Sequence, residues 1–106
     1  MNVTEPRGVK RKVFRHLVKG KVRSVVELEI IPDIFGEKPA GYIHKVYTDK
    51  DYQNKGIATE LILKAIKYAE RAGCYKVFLL CQAATVPFYM RLGFKAEQMG
   101  MVHRID

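Results

Sequence analysis

The residues whose spacing is most informative lie in the turn from Gln53 to Ala58. Gln53, Gly56 and Ala58 follow one another at intervals of three and two positions, and a periodic apolar segment comes directly after them. A helix that begins here would direct its free backbone N–H groups and the positive end of its dipole at the turn. Gly56 and Ala58 leave the backbone bare enough for a pyrophosphate to approach, and Lys55 would add positive charge. The turn therefore predicts a phosphate-binding site, although an ordinary helix start would have a similar sequence.

Two further side chains have the chemistry for proton transfer. His44 lies on a predicted strand before the turn, and an imidazole with an ordinary pKa near 6.5 can accept a proton at neutral pH. Tyr89 lies on a predicted helix, from which a phenol can donate a proton to a leaving group. Without these roles, His44 would be a half-exposed strand residue and Tyr89 an aromatic residue at the edge of the core.

The elements that must position these residues follow from the hydrophobic pattern. Residues 12–18 and 22–31 predict a β-hairpin that turns at Lys19-Gly20, and residues 41–48 predict a third strand. Apolar residues then recur at helical spacing over residues 57–69, which predicts a long amphipathic helix directly after the turn.

Three more elements complete the predicted order β-β-β-α-β-α-β. Residues 75–81 form a continuous apolar run, which predicts a strand buried on both faces. Residues 85–92 predict a second helix, and the alternation of residues 99–105 predicts a last strand. We expect a single domain over residues 1–106.

Composition limits the classes of protein to which the chain can belong. Its 106 residues, 48% of them hydrophobic and 28% charged, are typical of one globular domain. The sequence has no apolar run near the roughly 18 residues of a membrane span and no apolar block typical of a secretory signal. Two cysteines suggest a reducing compartment, and the scattered histidines have no metal-ligand spacing. We therefore expect a cytoplasmic protein without a metal or a membrane.

The net charge of +8 is concentrated at the N-terminus, where residues 1–23 hold eight of the nineteen Lys and Arg residues and one acidic residue. Residues 1–11 could form a flexible basic arm that meets an anionic partner. The charges could equally protect a solvated edge strand from aggregation. A basic module that binds nucleic acid without catalysis is a weaker alternative, because Phe14 is the one aromatic residue among residues 1–23.

Two motifs in the predicted order give the chain a family resemblance. Gln53-x-x-Gly56-x-Ala58, together with Phe88-Tyr89-x-x-x-Gly93-Phe94, resembles the Gcn5-related N-acetyltransferase (GNAT) family over about residues 22–106. The resemblance implies a GNAT-like α+β fold, in which helices pack on a central mixed sheet. It also implies an N-acetyltransferase that uses acetyl-CoA as co-substrate and no metal.

The family's mechanism implies roles for individual residues. An acetyl group would pass directly to a primary amine, with Tyr89 protonating the departing thiolate and His44 acting as base, as a histidine on the same strand does in related members. A backbone N–H on the strand over residues 41–48 would stabilise the oxyanion. The cofactor-binding residues implied by the resemblance are Val46, Tyr47, Thr48, Gln53, Asn54, Lys55, Gly56, Ile57, Ala58, Thr85 and Phe88.

The likeness is strongest to a branch of the family that acetylates an amino-sugar phosphate. Residues 73–77 are similar to a strand of that branch, in which Lys76 would bind the sugar phosphate together with Arg104. Glucosamine 6-phosphate is therefore the first-choice acceptor that the resemblance implies. The family also implies a homodimer, and the alternating apolar residues over 99–105 could form its subunit interface.

Three departures leave other acceptors open. His44-Lys45 stands where that branch has a Glu-Asp pair, so the charge of the site would be reversed. Thr85 replaces an asparagine that usually precedes the second helix. We expect no counterpart here of the strand and two helices that precede the sheet in the family, and an open groove would suit a protein lysine or N-terminus as acceptor.

Overall fold

The structure is a computed structural model that describes residues 9–32 and 38–105. Residues 1–8 of the predicted basic arm lie outside the described residues, and so does most of the loop that precedes the third strand. Lys10 and Arg11, at the end of the predicted arm, belong to the first strand.

In the described part of the chain, four strands form one mixed sheet with the order β1-β2-β3-β4. The strands are β1 (Lys10–Val18), β2 (Lys21–Ile31), β3 (Ala40–Thr48) and β4 (Val77–Leu79). β1, β2 and β3 pair antiparallel, and β4 runs parallel to β3. The predicted hairpin is confirmed: Lys19 and Gly20 form its turn with φ angles of 51° and 79°, which suit the twist of two antiparallel strands.

Helix α1 (Ile57–Arg71) packs on one face of the sheet and builds the core. Its buried residues repeat at helical spacing and meet the inward residues of β2 and β3. Gly41 allows the close approach, since a Cβ there would lie 3.1 Å from Ala69 Cβ. The core residues are Val26, Leu28, Ile30, Ile43, Leu61, Ile62, Ala65 and Ala69.

A β-bulge at His44 interrupts the pairing of β2 with β3. Leu28 pairs with Ile43 and Glu27 pairs with Lys45, so His44 is an extra residue in β3. A bulge bends its strand and increases the local twist. β4 accordingly pairs with β3 only over residues 41–43, before the bulge. The predicted strand over residues 75–81 is thus reduced to three half-buried residues, and its expected burial on both faces is wrong.

The C-terminal third is less regular than the sequence predicts. A 3₁₀ turn (Ala83–Thr85) leads into a short helix, α2 (Val86–Met90), where a helix over residues 85–92 was expected. Residues 95–105, called the tail below, form no strand, so the predicted last strand is wrong. Its apolar residues alternate, but Met99, Met101 and Ile105 stay exposed, and alternation stabilises a strand only when one face is buried.

The predicted fold class is confirmed despite these differences, since helices pack on a central mixed sheet. Among the described residues, none of the helices has the length and apolar character that crossing a bilayer requires.

Candidate active site

A gap opens between β3 and β4 at the bulge. β2 pairs with one edge of β3 up to Thr48, whereas β4 pairs with the other edge only as far as Ile43. The backbone groups on that second edge, beyond Ile43, can therefore bind a ligand. The predicted cofactor residues Val46, Tyr47 and Thr48 lie along this segment.

The turn after β3 has the conformation that a phosphate site needs. Gly56 adopts φ +79° and caps the N-terminus of α1, so the free N–H groups of Ile57 and Ala58 follow it in the first helical turn. A Cβ on Gly56 would meet no atom within 4 Å, so the space beside the backbone is open. Asn54 also has a positive φ, of 61°. Bare backbone with converging N–H groups at a helix N-terminus fits the pyrophosphate of acetyl-CoA.

Gln53 and Ser24 fasten this turn to the sheet. The Gln53 Nε2 atom donates a hydrogen bond to the Thr48 carbonyl at 3.1 Å. Ser24, fully buried in β2, donates from Oγ to the Tyr47 carbonyl at 3.0 Å and lies 2.8 Å from Thr48 Oγ1. These bonds satisfy a buried hydroxyl and fix the end of β3, from which the turn departs.

A second group of charged and aromatic side chains lies beside the turn. Arg23 Nη1 donates to Asp49 Oδ2 at 3.0 Å. The hydrogen bonds from Arg23 and Tyr47 hold the pKa of Asp49 below its usual value. The same contact with Asp49 raises the pKa of Tyr47. The Tyr52 ring lies 5.1 Å from the Arg23 guanidinium carbon and 5.6 Å from Lys55 Nζ, which places two cations beside the turn.

Tyr89 lies on α2, on the same side of the sheet as α1. Its ring packs against the core and meets Phe88 and Phe94 edge-on, with centroid distances of 5.0 and 5.8 Å. Burial raises the pKa of Tyr89, with a smaller electrostatic contribution from Cys81, so the phenol keeps its proton at neutral pH. Thr85 uses its hydroxyl locally, donating to the Gln82 carbonyl at 2.9 Å.

His44 lies on the opposite face of the sheet from α1. The bulge directs its side chain toward β2, where Nε2 lies 3.4 Å from Glu27 Oε1 and 3.5 Å from Glu29 Oε1. Sequence reasoning missed both carboxylates, although their outward alternation with Val26 and Leu28 could have identified them. The expected reversal of charge at His44-Lys45 is therefore offset by acidic groups from the neighbouring strand.

The face that carries His44 also carries an aromatic pair and Lys76. Tyr42 stacks on Phe78 with a centroid distance of 4.9 Å, and the His44 ring lies 5.9 Å from Tyr42. Lys76 Nζ lies 5.7 Å from the Phe78 ring. Arg104, by contrast, lies in the exposed tail rather than on β4 or along the gap.

A separate groove of about 830 Å³ lies between β4, α2 and the tail. Tyr89 lines it, but none of the residues from Gln53 to Ala58 does. Cys74 also lines it, and burial raises the pKa of this thiol, which lowers its thiolate fraction. The described residues contain no cluster of three or more side chains able to hold a metal ion.

Comparisons with known proteins agree with this geometry. The sequence profile described as the acetyltransferase (GNAT) family matches residues 7–94. A glucosamine 6-phosphate N-acetyltransferase of Trypanosoma brucei brucei is 34% identical over 100 residues, which is 93% of this chain and 67% of that protein. The N-alpha-acetyltransferase MAK3 of Arabidopsis thaliana is 39% identical over 57 residues, 51% of this chain and 30% of its own.

A crystal structure of a Trypanosoma brucei acetyltransferase superposes with a TM-score of 0.81 at 32% identity, covering 92% of this chain and 70% of the other. The chain thus spans about two thirds of the length of these trypanosomal proteins, and much less of the Arabidopsis protein. The family match covers most of the chain and includes the gap, the turn at Gly56 and Tyr89. The chain belongs to the acetyltransferase (GNAT) family.

Proposed function

We propose that this protein transfers an acetyl group from acetyl-CoA directly to a primary amine, with glucosamine 6-phosphate as the first-choice acceptor. The observation that carries the proposal is the gap that opens at His44, between the end of β3 and β4. The gap runs toward the turn at Gly56, and it has a candidate base on one face and a candidate acid on the other.

The chain's own groups would bind acetyl-CoA at the turn and along β3. The N–H groups that follow Gly56 would bind the pyrophosphate, with Lys55 adding charge at the rim. The free edge of β3 beyond Ile43 would accept the extended part of the molecule by backbone hydrogen bonds. When bound, acetyl-CoA supplies the acetyl group as an activated thioester.

The acceptor and the leaving group would occupy opposite faces of the sheet. An acceptor ammonium gives one proton to His44, and the amine attacks the thioester carbonyl. The C–N bond forms while the C–S bond breaks, a backbone N–H of β3 stabilises the oxyanion, and Tyr89 gives its proton to the sulfur. The second amine proton then restores the Tyr89 phenol, so one proton is released overall.

Deprotonation sets the need for a base. For a lysine acceptor with a pKa of about 10.4, removing the ammonium proton at pH 7 costs about 4.6 kcal/mol, and a less basic amino sugar needs less. Cys74 is a poor candidate for an acetyl-cysteine route, because its raised pKa keeps the thiol protonated.

The trypanosomal relative and Lys76 favour the amino-sugar phosphate. That relative is named a glucosamine 6-phosphate N-acetyltransferase, and Lys76 lies on the same face as His44. The likeness to an N-alpha-acetyltransferase favours a protein N-terminus or lysine as the second candidate.

Release of free thiol from acetyl-CoA tests the proposal, with glucosamine 6-phosphate and a lysine-containing peptide as parallel acceptors. We expect turnover with the sugar, a large loss of kcat in Tyr89→Phe, and a raised KM for the sugar in Lys76→Met. Tyr68→Phe is the matched control, since it removes an equivalent hydroxyl from the exposed side of α1. Turnover with the peptide alone would assign the second candidate, and no turnover with either acceptor would refute acetyl transfer.

A further inference from the structure

We propose that Glu27 and Glu29 bind the protonated amino group of the acceptor beside His44, and that these carboxylates make the site selective for cationic amines. The inference rests on the proposed acetyl transfer and extends it to the recognition of the acceptor. Neither glutamate belongs to the two sequence motifs of the family, because both lie on β2, one strand away from the gap.

The bulge creates the cluster. Glu27 and Glu29 project from the same face of β2, and the extra residue in β3 brings His44 between them. The side chains of the three residues are only 29%, 20% and 26% exposed, although no helix of the described residues is assigned to this face. The backbone of His44 is fractionally more exposed than its side chain.

Among the described residues, the contacts of the two carboxylates leave room for further hydrogen bonds. Their contacts with His44, Lys45 and Arg11 range from 3.4 to 3.8 Å, longer than an ordinary hydrogen bond. Lys45 and Arg11 are more than half exposed, and such ion pairs are weak in water. Each carboxylate can accept several hydrogen bonds, and an ammonium group offers three donors in a small volume.

His44 connects the cluster with the gap. It marks the point at which β3 leaves β4, and an amine held beside it by the glutamates would lie across the width of β3 from the gap. Tyr89 packs on the other face, where the sulfur would be protonated. An ammonium that is bound here can pass a proton to the neighbouring imidazole without leaving the carboxylates.

The rest of this face indicates the kind of acceptor. The stacked pair Tyr42 and Phe78 extends from His44 toward Lys76. Along the face, the two carboxylates with Lys45 and Arg11 beside them, the aromatic surface and the Lys76 ammonium group therefore follow in that order. A small molecule with an amine at one end, a ring, and an anionic group at the other end matches this order.

The test compares Glu27→Gln and Glu29→Gln with wild type, and Glu70→Gln is the matched control. Glu70 is an exposed carboxylate on α1, on the other side of the sheet. Thiol-release kinetics give kcat and the acceptor KM, and calorimetry gives the acetyl-CoA affinity. Glucose 6-phosphate, which lacks the amine, serves as an inhibitor that competes with the amino sugar.

A hydrogen-bonded charge pair contributes enough binding energy that each substitution on β2 should raise the acceptor KM about 10-fold or more. We expect the affinities for acetyl-CoA and for glucose 6-phosphate to stay within about 2-fold of wild type, since neither ligand offers an ammonium group. Glu29→Asp should recover part of the loss, because it restores the charge.

The outcomes separate this inference from the proposed function. An acceptor KM unchanged in both Gln variants, in an active enzyme, would overturn the inference and leave acetyl transfer standing. Equal losses of amine and glucose 6-phosphate binding would also overturn it, because they would indicate a structural role. A wild-type protein that acetylates neither the sugar nor a lysine peptide refutes both proposals together.

Discussion

Replacing Gly56 with alanine is the most direct test of where acetyl-CoA binds. Gly56 adopts φ +79° at the start of α1, and the space around its missing Cβ is open. The structure would therefore accept the methyl group without a clash and place it where the pyrophosphate should approach. The loss of one or two charged hydrogen bonds should weaken acetyl-CoA binding by roughly 10- to 100-fold.

The same substitution also strains the backbone, so the loss needs a matched control. Gly20, in the β1–β2 turn, has the same φ of +79° and also no atom within 4 Å of a Cβ. A left-handed conformation costs alanine about 1–2 kcal/mol, and about 1 kcal/mol lowers Tm by about 4–8 °C in a domain of this size. Gly20→Ala and Gly56→Ala should therefore lose similar thermal stability.

Only Gly56→Ala should lose affinity for acetyl-CoA, which isothermal titration calorimetry measures for both variants and for wild type. An unchanged affinity in Gly56→Ala would refute the proposed position of the phosphate site. The groove beside the tail would then be the next candidate for binding acetyl-CoA. Equal losses of affinity in both glycine variants would show that strain, rather than the turn itself, causes the effect.

Three further predictions concern other parts of the molecule. Tyr89→Phe should lower kcat by at least about 100-fold, the usual effect of removing a general acid, and acetyl-CoA affinity should stay the same. Because burial raises the pKa of Tyr89, the midpoint of its alkaline loss of activity should lie above the ordinary tyrosine pKa of about 10. A fall near neutral pH in wild type that is absent from Tyr89→Phe would contradict this. Asp49→Asn should lower Tm at pH 7. Arg23 lowers the pKa of Asp49 in the folded state, so the stabilisation from this ion pair is present above the ordinary Asp pKa near 3.9 and is lost as the pH falls further. The Tm values of wild type and variant should therefore converge toward pH 3. A constant difference in Tm would refute the ion pair. We also propose that the exposed apolar tail forms the interface of a homodimer. Light scattering should give a dimer mass for wild type and a monomer mass for a Met99→Asp, Met101→Asp double variant. Equal masses would exclude the tail as the interface.

The elements with a strong local pattern could be predicted from the sequence. The hairpin turn at Lys19-Gly20 and helix α1 follow from turn chemistry and from apolar residues at helical spacing, and both are confirmed. The position of Gly56 directly before α1 could be predicted too, although its role in binding phosphate remains a proposal. These features depend on residues that are close together along the chain.

The features that depend on pairing between distant segments could not be predicted. The tail alternates as a strand should, but a strand also needs a partner and a buried face, and the described residues give it neither. The run over residues 75–81 looked fully buried because its residues are apolar, yet the bulge in β3 restricts its pairing to three residues.

The candidate site shows the same division. Tyr89 and His44 could be selected for their chemistry, but the partners of His44 lie on β2 and depend on the register of the sheet. One signal in the sequence was available: Ile43 and Val46 both belong inside, and two polar residues separate them where strict alternation allows one. That irregular spacing indicates a bulge.

The extra residue in β3 is not needed for the sheet itself. If His44 were deleted, Ile43 would be followed by Lys45 and Val46, which alternate regularly, and the inward side chains on both sides of the deletion would still point inward. The sheet would gain an uninterrupted ladder with β2 and would lose the gap. The proposed activity and a regular strand therefore make opposite demands on this one position. Selection for stability alone would be expected to remove His44.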